Sequence, residues 1–242
     1  MKKLLAVLVL LAGPAAAQDG WSFAVSPYVW VPGIDTSLDT DFGRVDSSKS
    51  NAATLSDLDF AFMGAVEARR GRFGLIGDLL YAKISEDQDT PFQVLFDGVD
   101  VTTRVTAVTG YGFYRAYEDD HLSVDVLGGA RWYDVKIDVS LDEGLLPGQE
   151  LEAHSDWWDG VVGLRGRGDF NERWFSTALV DVGGFDPEND FTWQVLATVG
   201  YRFNDTWSAQ AGWRYLDIEK EISDKPVQIE LDGPIVGFTY RF

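Results

Sequence analysis

The chain has 242 residues, a formal net charge of −19, no Cys and 14% aromatic residues. Acidity of that size excludes a nucleic-acid partner, because phosphate recognition needs a basic face. The missing Cys excludes a disulfide framework and thiolate metal chemistry.

Residues 1–17 read as a cleaved secretory signal peptide. Lys2 and Lys3 form a basic start, Leu4 to Leu11 an apolar run, and Ala15-Ala16-Ala17 a small-residue cleavage site. Losing its two Lys takes the net charge from −19 to −21. The remainder, 18–242, reads as a single β-domain. No later run approaches the ~18 unbroken apolar residues that a spanning helix needs.

Ten strands are expected, over 21–31, 59–70, 72–84, 99–117, 121–139, 155–170, 174–184, 191–203, 206–219 and 227–242. Their period is two. Between Phe191 and Phe203 the odd positions are Phe, Trp, Val, Ala, Val, Tyr and Phe, while the even ones are mostly polar or small. Most runs reach the roughly 9–11 residues that cross a bilayer at a tilt, whereas strands of soluble domains run to about five or six. Tight turns at Gly71, 118–120, 171–173 and 204–205 alternate with longer segments at 32–58, 85–98 and 140–154, then shorter ones at 185–190 and 220–226. Sorting turns to one end and loops to the other is the habit of outer-membrane barrels. Within 32–58, Phe42-Gly43 is placed to close a small hairpin, and the count becomes twelve if that hairpin joins the wall.

In the last strand Val236, Phe238, Tyr240 and Phe242 alternate with Gly237, Thr239 and Arg241. This ending resembles the signature by which the bacterial outer-membrane assembly machinery recognises its clients. Together with Trp21-Ser-Phe-Ala-Val-Ser-Pro-Tyr-Val-Trp30 and Asp57-Leu-Asp-Phe-Ala-Phe-Met-Gly-Ala-Val-Glu67, it makes the chain from Trp21 to Phe242 similar to the small outer-membrane β-barrel proteins of Gram-negative bacteria, the OmpA-, OmpX- and OmpW-like group. The resemblance implies an all-β, up-and-down antiparallel transmembrane β-barrel in the cell outer membrane. Both termini and the short turns would be periplasmic and the longer loops extracellular. It implies contact with outer-membrane lipid, lipopolysaccharide and the assembly machinery, and it supplies no catalytic motif.

If aromatic positions face lipid, their neighbours face the lumen. That rule puts Glu67, Asp78, Arg104, Asp125, Arg131, Asp159, Arg165, Arg167, Asp181, Arg202, Arg214 and Arg241 inside. Arg is over-represented there in an acidic protein, which fits pairing with carboxylates in a partly dry space. A salt-bridged plug is expected, with a narrow water path as the rival. The two His offer little for catalysis. His121 lies at a periplasmic turn, and His154 lies in the third outer loop, where adjacent Ser155 points to the opposite face. Asp35, Asp39, Asp41, Asp46, Asp87, Asp89, Asp142, Glu143, Glu150, Glu152, Asp186, Glu188, Asp190, Glu219, Glu221 and Asp224 make the outer loops acidic. Weak divalent-cation binding is the most they suggest. The expectation is a non-enzymatic barrel without cofactor or resident metal, structural or weakly pore-forming. The alternatives are a narrow passive channel of porin-like kind, an outer-membrane hydrolase, or a soluble periplasmic binder of apolar ligands.

Overall fold

A computed structural model describes residues 20–40, 43–89, 96–143, 148–186, 190–222 and 225–242. The expected signal peptide lies outside them. In chain order the strands are β1 (Trp21–Trp30), β2 (Gly33–Thr40), β3 (Gly43–Lys49), β4 (Leu58–Arg70), β5 (Phe73–Asp89), β6 (Phe96–Glu118), β7 (Leu122–Glu143), β8 (Gln149–Asp169), β9 (Trp174–Asp186), β10 (Asp190–Arg202), β11 (Trp207–Ile222) and β12 (Lys225–Arg241), with a short helix α1 (Asn51–Ser56) between β3 and β4.

β4 to β12 pair antiparallel with their neighbours in chain order, and β1 hydrogen-bonds to both β4 and β12. This double pairing closes a ten-stranded up-and-down barrel. The β2–β3 hairpin stands outside that ring of ten. It takes over the edge of β12 where β1 leaves it, from Gly33↔Asp232 to Leu38↔Val227. Ser50 caps α1 by accepting from the Ala53 N–H. Asn51 Nδ2 donates to the Val31 and Asp232 carbonyls at 2.9 and 2.8 Å, tying the helix to the point where β1 and β12 part.

The distribution of polarity shows what surrounds the wall. Phe73, Leu75, Phe62, Val66, Val126, Leu164, Val199, Val236 and Phe238 are exposed on the outer face, whereas Thr109, Asp125, Arg131, Asp181 and Gln194 are buried. An exposed apolar band around a polar interior is the signature of a barrel in hydrocarbon. Aromatic clusters mark its two edges. Trp21–Phe23, Phe73–Tyr114, Trp174–Tyr201 and Trp207–Tyr240–Phe242 ring the end that carries the tight turns, the start of β1 and the end of β12. Phe60–Tyr81, Trp132–Trp158 and Trp193–Tyr215 ring the other. From Trp193 to Tyr201 the strand rises about 26 Å, or about 20 Å of height at a 40° tilt, close to the thickness of the apolar band in such barrels. Short turns gathered at one end mark that end as the periplasmic one in barrels of this kind.

Above the upper ring the polarity inverts. On β11 the outward Trp213 gives way to Asp217, itself covered by Trp193, Tyr215 and Gln228, and to exposed Glu219, and the inward Arg214 to inward Leu216 and Ile218, both buried. On β7 the outward Trp132 is followed by Asp134, Lys136 and Asp138, while Tyr133 turns inward and is 1% exposed. On β12, Gln228, Glu230 and Asp232 alternate with Ile229 and Leu231, which pack on the interior cluster. The outer face there meets water, so the ordinary rule of a soluble sheet returns: polar out, apolar in.

The strands also run further than expected. β6, β7 and β8 hold 23, 22 and 21 residues, so the segments expected to be loops at 85–98 and 140–154 are largely wall. Most acidic residues assigned to loops sit on strands instead. Asp41, Glu188 and Asp224 lie outside the described residues. Replacing Asn51 by Ala removes both donor bonds at the hairpin seam. Limited proteolysis should then cut within 32–58 faster than in the parent protein, while the barrel body keeps its heat-resistant gel mobility.

Candidate functional site: a layered lumen

Four layers of side chains line the lumen, and strand register decides which of them meet in each. At the periplasmic mouth β8, β10 and β12 bring in Arg167, Arg202 and Arg241. Arg202 pairs with Asp169, and Arg167 reaches the same carboxylate at 3.8 Å. The Arg167 and Arg202 guanidinium carbons lie 4.1 and 4.9 Å from the centroid of the Phe175 ring. Phe175 itself lies over Gly200, where any Cβ would strike the ring. On the rim, Asp119 accepts from the Tyr117 hydroxyl at 2.6 Å and from the His121 and Leu122 N–H groups at 2.8 and 2.7 Å. These bonds, the hydroxyl first, hold its carboxyl below the ordinary aspartate range.

The next layer is a closed chain of charge. Arg165 bonds Glu67 at 2.6 Å and Asp125 at 2.8 Å, and Arg115 grips the other side of Asp125 at 2.8 Å while reaching Glu118 at 2.7 Å. A third layer crosses the barrel. Arg131 Nη2 donates to both Asp181 oxygens at 3.1 and 2.9 Å and to the Tyr111 hydroxyl at 2.8 Å, and its Nε donates to Thr109. Gln194 donates to Asp181 and accepts from Arg214, which reaches the Tyr28 hydroxyl at 3.1 Å; Tyr28 donates to Asp78 at 2.8 Å. Asp159, also buried, is the cross-strand partner of Arg131.

Above these polar layers sits a dry one. Trp30, Met63, Leu80, Tyr133, Leu216, Ile218 and Ile235 form a single buried cluster, and Trp157 stacks on Tyr133 at 4.9 Å. Below it the lumen is hollow. A cavity of about 240 Å³ runs under Tyr28, Tyr111, Gln194 and Arg214. It shares Glu67, Arg115, Arg167 and Arg241 with a second cavity of about 520 Å³ at the periplasmic mouth. The described lumen thus has a cup-like hollow below the buried apolar cluster.

Every residue assigned to the interior from sequence lines these layers except Arg104. Arg104 faces outward, pairs with Asp138 and is 36% exposed. The reason is local: β6 carries aromatic residues on both parities, and the buried Tyr111 and Phe113 face inward. Reading them as lipid-facing inverted the strand. The same inversion hid Arg115, which belongs to the interior network.

His154 is on β8 rather than in a loop, half-exposed on the outer face, with Nε2 2.7 Å from Asp134. Among the described residues no three His, Asp or Glu side chains converge as a metal site. Val236 and Phe238 lie on the exposed outer face, and Tyr240 and Phe242 pack in the lower aromatic ring.

Comparison with known proteins agrees with this geometry. The family model for the outer membrane protein beta-barrel domain matches residues 4–242. The chain belongs to that family. No curated protein sequence matches it. Among solved structures it resembles the outer membrane protease OmpT from Escherichia coli, at 9% identity and a TM-score of 0.60, over 93% of this chain and 98% of that one. It also aligns with the transport unit of the autotransporter AIDA-I from Escherichia coli, at 9% identity and a TM-score of 0.42, over 97% and 94%. Ail, the attachment invasion locus protein of Yersinia pestis, aligns at 14% identity and a TM-score of 0.38, over 93% and 99%. At such identities these likenesses concern fold alone. The protein is an outer-membrane β-barrel.

Removing one side of a buried charge pair leaves the other uncompensated. Arg131→Met should lower the unfolding free energy of the refolded barrel by about 3–5 kcal/mol, read from denaturant titration in detergent. His154→Ala, at an exposed ion pair, should change it by less than about 0.5 kcal/mol.

Proposed function

We propose that this is a non-enzymatic integral outer-membrane protein of structural role, closed to solute flow and presenting its tall outer wall at the cell surface. One observation carries the reading: the outer half of the lumen is filled by an apolar cluster resting on the Arg131–Asp181 layer. The Arg131 and Asp181 side chains are 1% and 0% exposed, so solvent does not reach that pair. Beyond Trp132, β7 continues for about 36 Å of strand, so its wall stands well clear of the lipid surface.

The solvent-exposed position of His154 and Asp134 on the outer wall supports the non-enzymatic part. Their pair projects from the outer wall into solvent, where nothing would orient a substrate or exclude water. We further propose that residues 1–17 direct export and are removed, and that Val236, Phe238, Tyr240 and Phe242 form the assembly signal. Lipid and lipopolysaccharide would surround the exposed aromatic band. The acidic outer strands would attract divalent cations only as a diffuse field.

The second reading is a narrow passive channel, favoured by the hollow lower half of the lumen. Planar-bilayer recording separates the two. The parent protein should give no steady single-channel current. The double variant Trp30→Ala with Tyr133→Ala, which empties the dry layer, should conduct more than the parent. A stable open current from the parent protein would overturn the closed-barrel reading. Deleting Phe242 should reduce the folded, heat-modifiable fraction recovered in outer-membrane preparations.

A further inference from the structure

The periplasmic cup gathers Arg side chains beyond those of the Glu67–Arg165–Asp125–Arg115 network. Arg167, Arg202 and Arg241 converge on its lower part with one shared carboxylate, Asp169. Glu67, the next acid inward, is engaged by Arg165 at 2.6 Å. Among the described residues the Arg241 side chain makes no hydrogen bond and no ion pair; its charged neighbours are Arg202, Glu67 and Asp169. Phe175 holds Arg167 and Arg202 by its ring face, at 4.1 and 4.9 Å, and Arg202 also donates to the Asn171 and Glu172 carbonyls and to Asp169. The mouth cavity, about 520 Å³, reaches all three. Asp119 and Asp205 also line that cavity and oppose an anion. Asp119 is tied into its turn by three hydrogen bonds.

Over its whole lining the mouth cavity is balanced, with five Arg facing five Asp or Glu, and Arg167, Arg202 and Arg241 are the cations clustered in its lower part. The protein as a whole carries −19. A structural network would match each Arg with a carboxylate, as the Glu67–Arg165–Asp125–Arg115 layer does just above.

We propose that the cup binds a phosphate group, presented from the periplasm and held by Arg167, Arg202 and Arg241. Three guanidinium groups share one carboxylate, Arg241 makes no ion pair of its own among the described residues, and planar N–H forks suit phosphate oxygens. The group is either free inorganic phosphate or the headgroup phosphate of an inner-leaflet lipid, which lies at the height of the mouth. The site is independent of the dry layer above, so it holds whether or not the barrel conducts.

The test uses the full mature barrel refolded in a nonionic, phosphate-free detergent. Isothermal titration with inorganic phosphate should show one saturable site, competed by sulfate. Arg241→Gln should weaken it about tenfold or more, as expected for losing a charge-assisted contact. Arg173→Gln makes the same charge change on an exposed turn and should leave it intact. Gel heat-modifiability checks folding, and Arg202→Gln serves if Arg241→Gln fails to fold. In a parallel arm, ³¹P spectra are taken on phosphatidylcholine vesicles with and without phosphatidylglycerol. Broadening of the phosphatidylglycerol signal by the parent but not by Arg241→Gln assigns the site to a lipid headgroup. Saturation by inorganic phosphate alone assigns it to the free ion. If neither probe responds, or if parent and cup variants respond alike, the proposal is wrong.

Discussion

What the outer face of the wall touches governs nearly everything inside it. Between the two aromatic rings that face meets hydrocarbon, so side chains with charge or hydrogen-bonding capacity have only the lumen to occupy. Above the upper ring the same strands stand in water, and the preference reverses. A strand such as β11 obeys both rules within a few residues, carrying Arg214 inward and then Leu216 and Ile218 inward. The polar network and the dry layer are therefore two consequences of one change of solvent. Neither needs a separate explanation.

Closure imposes the second constraint. In lipid no strand edge can remain unpaired, and β1 meets the requirement by bonding to β4 and β12 together. Once the wall leaves the membrane that obligation lapses. β12 is then free to exchange β1 for β2, and the hairpin grows along it. The seam lies where β1 ends, and Asn51 accepts the task of satisfying the carbonyls of Val31 and Asp232 there.

These constraints explain what could be read from the sequence. Within the membrane Val195, Ala197 and Val199 alternate with Gln194, Thr198 and Gly200, Leu196 being the one apolar side chain among the inward positions, because each face has one solvent. The barrel, its strands and most interior charges were legible for that reason. β6 was misread because Tyr111 and Phe113 turn inward while Tyr114 turns outward. An aromatic residue can serve a lumen as well as an interface when Asp181 accepts from its hydroxyl, as for Tyr111, or Arg165 lies over its ring, as for Phe113. The dry layer was not anticipated because a single polarity rule was applied along whole strands. Its signal was present: Leu216 and Ile218 alternating with Asp217 and Glu219, and Ile229 and Leu231 with Gln228 and Glu230, invert the phase seen lower down. Reading phase separately for each half of a strand would have found both the dry layer and the outward Arg104.

The boundary between the wet cup and the dry layer remains to be accounted for, since a charge placed against hydrocarbon is costly. The residues found there are those with an apolar body and a polar tip. Arg214 lies 4.9 Å from the Trp30 ring centroid and keeps its N–H groups on Gln194 and the Tyr28 hydroxyl. Tyr133 is packed against Trp157 while its hydroxyl meets Thr192. Tyr111 turns its hydroxyl to Arg131, Asp181 and Gln194 and its ring to Phe113 and Leu127. Such side chains let hydration fall across one layer of residues instead of at a bare charge. The ion pair between Arg131 and Asp181 contributes little net stability for its own sake. Its position does more: it fixes four strands in register at the height where the lumen ceases to be wet.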